Sequence, residues 1–211
     1  MDNQTIFQYA GTFTGFMTSM LFYPVDTYKS RLQASHSSSL HLYRGIFPEM
    51  ISNTASNAVY WSLYQYYRNK EYSPIKSVLI SSIISNLIDS PLDYLKKHRQ
   101  LNVAYVPSWI PLLRYSILNS SYSCVYNCTY MYILSTVSSE KRNELLTLLG
   151  CSMISSSISY PIDYMRTCSI KENVNYTLSS FIKGYVIRLA YSTCYSTFYM
   201  KCFLLLTGHS V

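Results

Sequence analysis

Three times in this chain an apolar run closes on a proline, followed by an acid two residues on and a base three residues after that. Residues 23–33 read YPVDTYKSRLQ, residues 90–100 read SPLDYLKKHRQ, and residues 160–170 read YPIDYMRTCSI. The shared pattern is Pro-x-Asp-x-x-Lys/Arg: Pro24, Asp26 and Lys29; Pro91, Asp93 and Lys96; Pro161, Asp163 and Arg166. The prolines recur after 67 and 70 residues. One such pattern arises by chance. Three near-evenly spaced copies, at the same place in the same kind of run, mark internal repetition, which constrains architecture before local propensity does. The repeats run over 1–70, 71–140 and 141–211, within a single domain spanning 1–211.

Each unit carries a second long run. These start at Gly45 (GIFPEMISNTASNAVYWSLYQYY), Trp109 (WIPLLRYSILNSSYSCVYNCTYMYIL) and Gly184 (GYVIRLAYSTCYSTFYMKCFLLL). Together with the proline-ended runs they make six helical candidates of about 20 residues, the length that crosses a bilayer. Charged residues are only 13% of the chain, against about 25% in soluble domains. Ser, Thr, Tyr and Asn interrupt every run, and polar groups on such helices face a bundle interior or an aqueous cavity. Gly11 and Gly15 form a Gly-x-x-x-Gly step of the kind that lets helix backbones approach in lipid; Ser82 and Ser152 stand in the corresponding places. The expected fold is therefore an all-α membrane protein: six transmembrane helices in three pseudo-symmetric two-helix repeats around a central cavity, with the lipid bilayer as solvent.

The net charge of +7 does not point to nucleic acid, because the bases fall between apolar runs and make no exposed basic face. It points to a cavity or surface that prefers anions. The bases after the motifs place those ends on the negative, interior side of a membrane, and both termini on the outer side. The six cysteines include no Cys-x-x-Cys pair and no histidine at zinc spacing, so buried free thiols are expected, and no metal or other cofactor. The N-terminus lacks the basic region of a secretory signal.

The motif has a physical reading. Proline removes a backbone donor and kinks a helix. Asp and Lys three residues apart share one helix face. A single copy reads as a solvated surface pair. Three copies behind three prolines read as a ring of acids and bases at the mouth of a bundle. Buried ion pairs contribute little net stability because desolvation offsets attraction. They suit a latch that opens and closes at small net cost.

These residues resemble the signature of the mitochondrial carriers, Pro-x-Asp/Glu-x-x-Lys/Arg-x-Lys/Arg, on three odd-numbered helices. All three copies match through the sixth position; the eighth is Arg31, His98 and Cys168. The family's bracing glutamine corresponds to Gln33 and Gln100, with Ile170 in the third copy. The aromatic-basic-Gly element before the even helices matches Tyr43-Arg44-Gly45 and, in part, Lys183-Gly184, while the second repeat has only Tyr105-Val106-Pro107. The repeats are shorter than the family's, chiefly after Gln33, where ASHSSSLHL leaves no room for its surface helix. The shortening and the Tyr/Ser/Ile/Asn bias point to a divergent member, from a lineage such as a large DNA virus or a parasite.

The resemblance implies a secondary transporter working by alternating access at the mitochondrial inner membrane (the host's, if viral), functional as a monomer. It implies cross-helix gate pairs Asp26–Lys96, Asp93–Arg166 and Asp163–Lys29. It places substrate contacts about two turns into the even helices, at Ser52 and Asn53, Arg114 and Tyr115, and Arg188 and Tyr191. Two facing guanidiniums would suit phosphate or carboxylate, and tyrosines would stack on a base, so a small anion is expected as cargo, with nucleotides favoured over carboxylates or amino acids. The family's outer gate, an acid and base on each even helix, is degraded here to Tyr64, Gln65 and Arg68, then Tyr126 and Asn127. A carrier fold that no longer transports is thus the alternative. A membrane enzyme is a third class; His36, His41, His98 and His209 have no evident catalytic partners, and no enzymatic activity is expected.

Overall fold

The computed structural model describes residues 3–33, 41–105, 108–137, 144–170 and 178–208. His36, His209 and the links over 138–143 and 171–177, whose charges enter the orientation argument, lie outside the described residues. The described residues form six α-helices and no strand: α1 (Asn3–Gln33), α2 (Ile46–Asn69), α3 (Pro74–Leu101), α4 (Trp109–Thr136), α5 (Glu144–Cys168) and α6 (Leu178–Thr207). Pro24, Pro91 and Pro161 lie inside α1, α3 and α5, which continue past them for two to three turns and carry the acid and base with them. Local chemistry sets several ends. Ser73 accepts from the Lys76 amide at 3.4 Å and Pro74 occupies the first turn of α3, a position where its missing donor costs nothing. Asn102 ends α3 at φ 56°, the left-handed stop that asparagine tolerates.

Each helix packs on the next, α1 on α2 through to α5 on α6, and α6 packs back on α1. The six helices therefore close a ring, and α1 also touches α3 and α5. Within the pairs the register recurs. Asn53 donates to Ser19 at 2.7 Å between α2 and α1. Ser123 donates to Asn86 at 3.1 Å between α4 and α3. Ser156 donates to Ser192 at 2.6 Å between α5 and α6. A Cβ on Gly11 would fall 2.3 Å from Trp61 Cδ1, and one on Gly15 would fall 2.7 Å from Asn57 Nδ2, so the absent side chains are what let α2 lie against α1.

Two further glycines do one job at equivalent places. A Cβ on Gly45 would lie 2.8 Å from the Tyr23 hydroxyl, and one on Gly184 would lie 2.7 Å from the Tyr160 hydroxyl. Those hydroxyls donate to the Arg44 and Phe181 carbonyls, each at 2.7 Å. Gly45 also adopts φ 94°, where a Cβ is strained.

Burial is inverted relative to a soluble domain. Ser81, Ser82, Ser85 and Asn86 of α3 face inward while Leu79, Ile83 and Leu87 face out; on α5, Ser155, Ser156 and Ser159 face inward while Ile154 and Ile158 face out. Buried polar and charged residues outnumber buried apolar ones among the described residues, the opposite of the usual ranking. Among the described residues, two of the six helices, Pro74–Leu101 and Leu145–Cys168, are long and apolar enough to cross a membrane. None of the six cysteines is in a disulfide, but only Cys151 and Cys168 are buried, against the expectation of buried thiols throughout, and Cys194 is exposed.

Candidate functional site

The ring of helices encloses a cavity of about 280 Å³ lined by residues of all six. At one end it is closed by the acids and bases of the repeated motif. Lys96 Nζ lies 2.9 Å from Asp26, Arg166 lies 3.4 Å from Asp93, and Lys29 lies 3.4 Å from Asp163. These contacts join α3 to α1, α5 to α3, and α1 to α5. Within each motif the pair spaced by three also meets: Lys29–Asp26 at 3.1 Å, Lys96–Asp93 at 3.3 Å and Arg166–Asp163 at 2.8 Å. Three acids and three bases thus alternate around a closed, buried ring.

Gln100 donates to Asp26 at 3.0 Å and Gln33 donates to Asp163 at 3.1 Å. The third motif has no glutamine. There the Tyr115 hydroxyl donates to Asp93, and Ile170 packs with Tyr94, Leu101 and Tyr115 in a buried apolar cluster. The side chain that braces Asp93 comes from α4, one ring neighbour away, and the isoleucine supports the tyrosine that does it. Two charges outside the motif pattern join the network: Glu49 contacts Lys96 at 2.6 Å, and Lys97 contacts Asp26 at 3.4 Å and donates to Ser30 at 2.7 Å.

Along the cavity the even helices present aromatic rings one turn apart. On α4, Tyr122, Tyr126 and Tyr130 have centroids 6.1 and 6.2 Å apart. On α6, Tyr191, Tyr195, Tyr199 and Phe203 follow one another at 5.6, 6.3 and 6.4 Å. At the end away from the ion pairs, Trp61 stacks on Phe203 at 3.9 Å and donates to the Tyr199 hydroxyl at 2.6 Å.

The residues expected to contact substrate separate into three groups. Asn53, Arg188 and Tyr191 line the cavity. Ser52 is buried and its hydroxyl is spent on Asp89, and Tyr115 is spent on Asp93. Arg114 is exposed on the outer face of the bundle, in an apolar groove with Ile110, Leu113, Ile117, Leu118 and Met165. It does not face Arg188: one residue is a 100° turn of the helix, and α4 directs Tyr115, Asn119, Tyr122 and Tyr126 inward instead. The expected outer-gate residues form no ring. Gln65 donates to Asn69 in its own helix, exposed Arg68 donates to the Tyr72 carbonyl, and Asn127 donates to Ser82 in helix packing. Tyr64 packs against the Trp61 cluster, and Tyr126 bonds Ser196.

The sequence reading missed Glu49, Asp89 and Lys97. A charged residue inside an apolar run was the available signal. It also missed Asn119, which accepts from Arg166 and donates to Asp89 at 3.0 Å. Among the histidines, His98 packs against Tyr94 and Tyr105 and bonds the Ala104 carbonyl, an arrangement that fixes the end of α3.

A mitochondrial carrier-like protein of Acanthamoeba polyphaga mimivirus is 22% identical to this chain over 170 residues, covering 68% of the chain and 70% of the relative. This similarity supports a carrier-like relationship for the chain. No protein-family profile matches it, so a carrier-like relationship rests on this similarity beside the triple motif.

Proposed function

We propose that the protein is a secondary transporter of small charged metabolites, working by alternating access with the ion-pair ring as the gate at one end. The observation that carries the reading is the closure of a polar cavity by Lys96–Asp26, Arg166–Asp93 and Lys29–Asp163, each linking a different pair of odd helices. A static scaffold gains little from six desolvated charges at the convergence of three helices. A gate gains a set of contacts close enough to balance that ligand binding shifts the population between states.

The chain's similarity to a carrier-like protein and its polar interior under an apolar exterior support insertion in a bilayer. Inter-helix contacts that recur at equivalent positions support three two-helix repeats of one chain, so a monomer suffices. The motif resemblance to mitochondrial carriers favours the mitochondrial inner membrane as its site, and the bases after the motifs favour both termini on the outer side. The favoured nucleotide cargo rested on Arg114 and Arg188 facing one another. With Arg114 outside the cavity, what remains is a small charged solute; the volume of 280 Å³ lies at the lower bound of about 300 Å³ for ligand pockets.

The test is exchange into liposomes. Purified protein reconstituted into vesicles preloaded with nucleotides, carboxylates or amino acids should exchange at least one class. Asp93→Asn should slow that exchange without unfolding the protein. Absence of flux for every class, with folded protein in sealed vesicles, would favour the non-transporting reading. The aromatic packing that replaces charges at the far end is the observation on that side.

A further inference from the structure

The carrier reading leaves two charges of the cavity unexplained. The gate uses three acids and three bases; Glu49 is matched to Lys96, and Lys97 to Asp26. Asp89 of α3 lines the cavity yet joins no ion pair among the described residues. Its carboxylate accepts only neutral donors, the Ser52 hydroxyl and the Asn119 amide. Arg188 of α6 lines the same cavity, is 4% exposed, and has an Nε that makes no hydrogen bond. Its contact to Asp163, at 3.6 Å, is the longest of the network, and Asp163 already serves Lys29, Arg166 and Gln33. Arg188 is held from the side, by the Tyr122 hydroxyl and by the Tyr122 and Tyr191 rings at 5.0 and 5.9 Å.

These two charges stand on opposite walls. In the closed ring of six helices, α3 and α6 are three places apart in either direction. The charged groups lining the cavity are otherwise balanced: Asp26, Glu49 and Asp93 against Lys29, Lys96 and Arg166. A polyanion entering such a site would meet carboxylates with no excess of base to offset them. A ligand bearing one cation and one carboxylate would complete both open partners. The guanidinium fork suits a carboxylate, while the Asp89 carboxylate, held by hydroxyl and amide neighbours, suits an ammonium.

Resting on the carrier reading, we propose that the cavity takes zwitterions of the α-amino acid class, with the ammonium at Asp89, the carboxylate at Arg188 and the side chain along Tyr191 and Tyr195. The test uses matched solutes. Leucine is compared with its α-hydroxy acid, which lacks the ammonium, and with isoamylamine, which lacks the carboxylate; lysine, glutamate, a dicarboxylate and a nucleotide complete the panel. In the liposome assay the wild type should exchange amino acids and discriminate against both truncated analogues by about tenfold or more, the loss expected when a charged hydrogen-bond partner is missing. Asp89→Asn, near-isosteric and checked for an unchanged melting temperature, should abolish the preference for leucine over its hydroxy acid; Asp89→Glu should restore part of it. Exchange of nucleotides or dicarboxylates but not amino acids, or indifference of leucine exchange to Asp89→Asn, overturns the zwitterion site and leaves the carrier reading standing. No exchange of any solute by the wild type overturns both.

Discussion

At the residue scale the ring of ion pairs is held by unequal braces. Two acids are held by glutamine amides and the third by the Tyr115 hydroxyl. Tyr115→Phe removes one donor to a buried carboxylate while keeping the ring packed, and should cost about 1.5–3 kcal/mol, the range for hydrogen bonds to charged groups, read as a lower melting temperature. Ile170→Gln, which restores the motif's glutamine, should not compensate. The isoleucine is buried against Tyr94, Leu101 and Tyr115, and an amide there is desolvated within an apolar cluster. The charges themselves permit a sharper experiment. Asp93→Asn leaves Lys96 and Arg166 short of a carboxylate, a loss of about 3–5 kcal/mol for a broken buried pair. Asp93→Arg combined with Arg166→Asp should recover part of the stability and exchange lost by either single change. A double variant as impaired as the worse single one, with both folded, would argue that the two do not act as a pair.

At the element scale the close approach of paired helices depends on what their glycines lack. Gly184 faces both the Tyr160 hydroxyl and Gln33 Cγ, at 2.7 and 2.8 Å from an added Cβ. Gly184→Ala should therefore push α6 from α5 and move Gln33 off Asp163, lowering both melting temperature and exchange. Tyr160→Phe removes the obstructing oxygen. The double variant should lose less than the two single losses summed, the non-additivity expected of residues in contact; strict additivity in the measured stabilities would show that the clash is absorbed elsewhere. Helix rotation is the other lesson at this scale. On α4 the inward face runs Tyr115, Asn119, Tyr122, Tyr126 and Tyr130, while Leu113, Arg114 and Ile117 point out. Placing the contacts of α4 about two turns into the helix reached Arg114 and Tyr115 and missed Asn119. The turn-by-turn recurrence of Tyr and Asn along α4 was present in the sequence and was the better guide.

At the scale of the whole molecule, a polar interior inside an apolar exterior makes a prediction about solvent. Cys194 is exposed on α6. With the other cysteines replaced, it should react in intact vesicles with a lipid-soluble maleimide and resist a membrane-impermeant one. Rapid labelling by the impermeant reagent would place that face in water and remove the bilayer from the argument. How much of this architecture was legible from residues alone follows from the range of the interactions. The six helices, the proline-ended odd runs and the acid–base spacing are local: they are written in apolar run length and in steps of two and three residues, and they stand in the structure where the sequence has them. What joins across the ring is not local. That Tyr115 takes the place of the missing third glutamine, that Glu49 and Lys97 enter the network, that Arg114 faces out, and that Asp89 and Arg188 stand on opposite walls without filling each other's needs all depend on how each helix is turned about its axis. That rotation is decided by packing, through Gly15 against Asn57, Gly45 against Tyr23 and Gly184 against Tyr160, and a shift of one residue along a helix carries a side chain 100° around it.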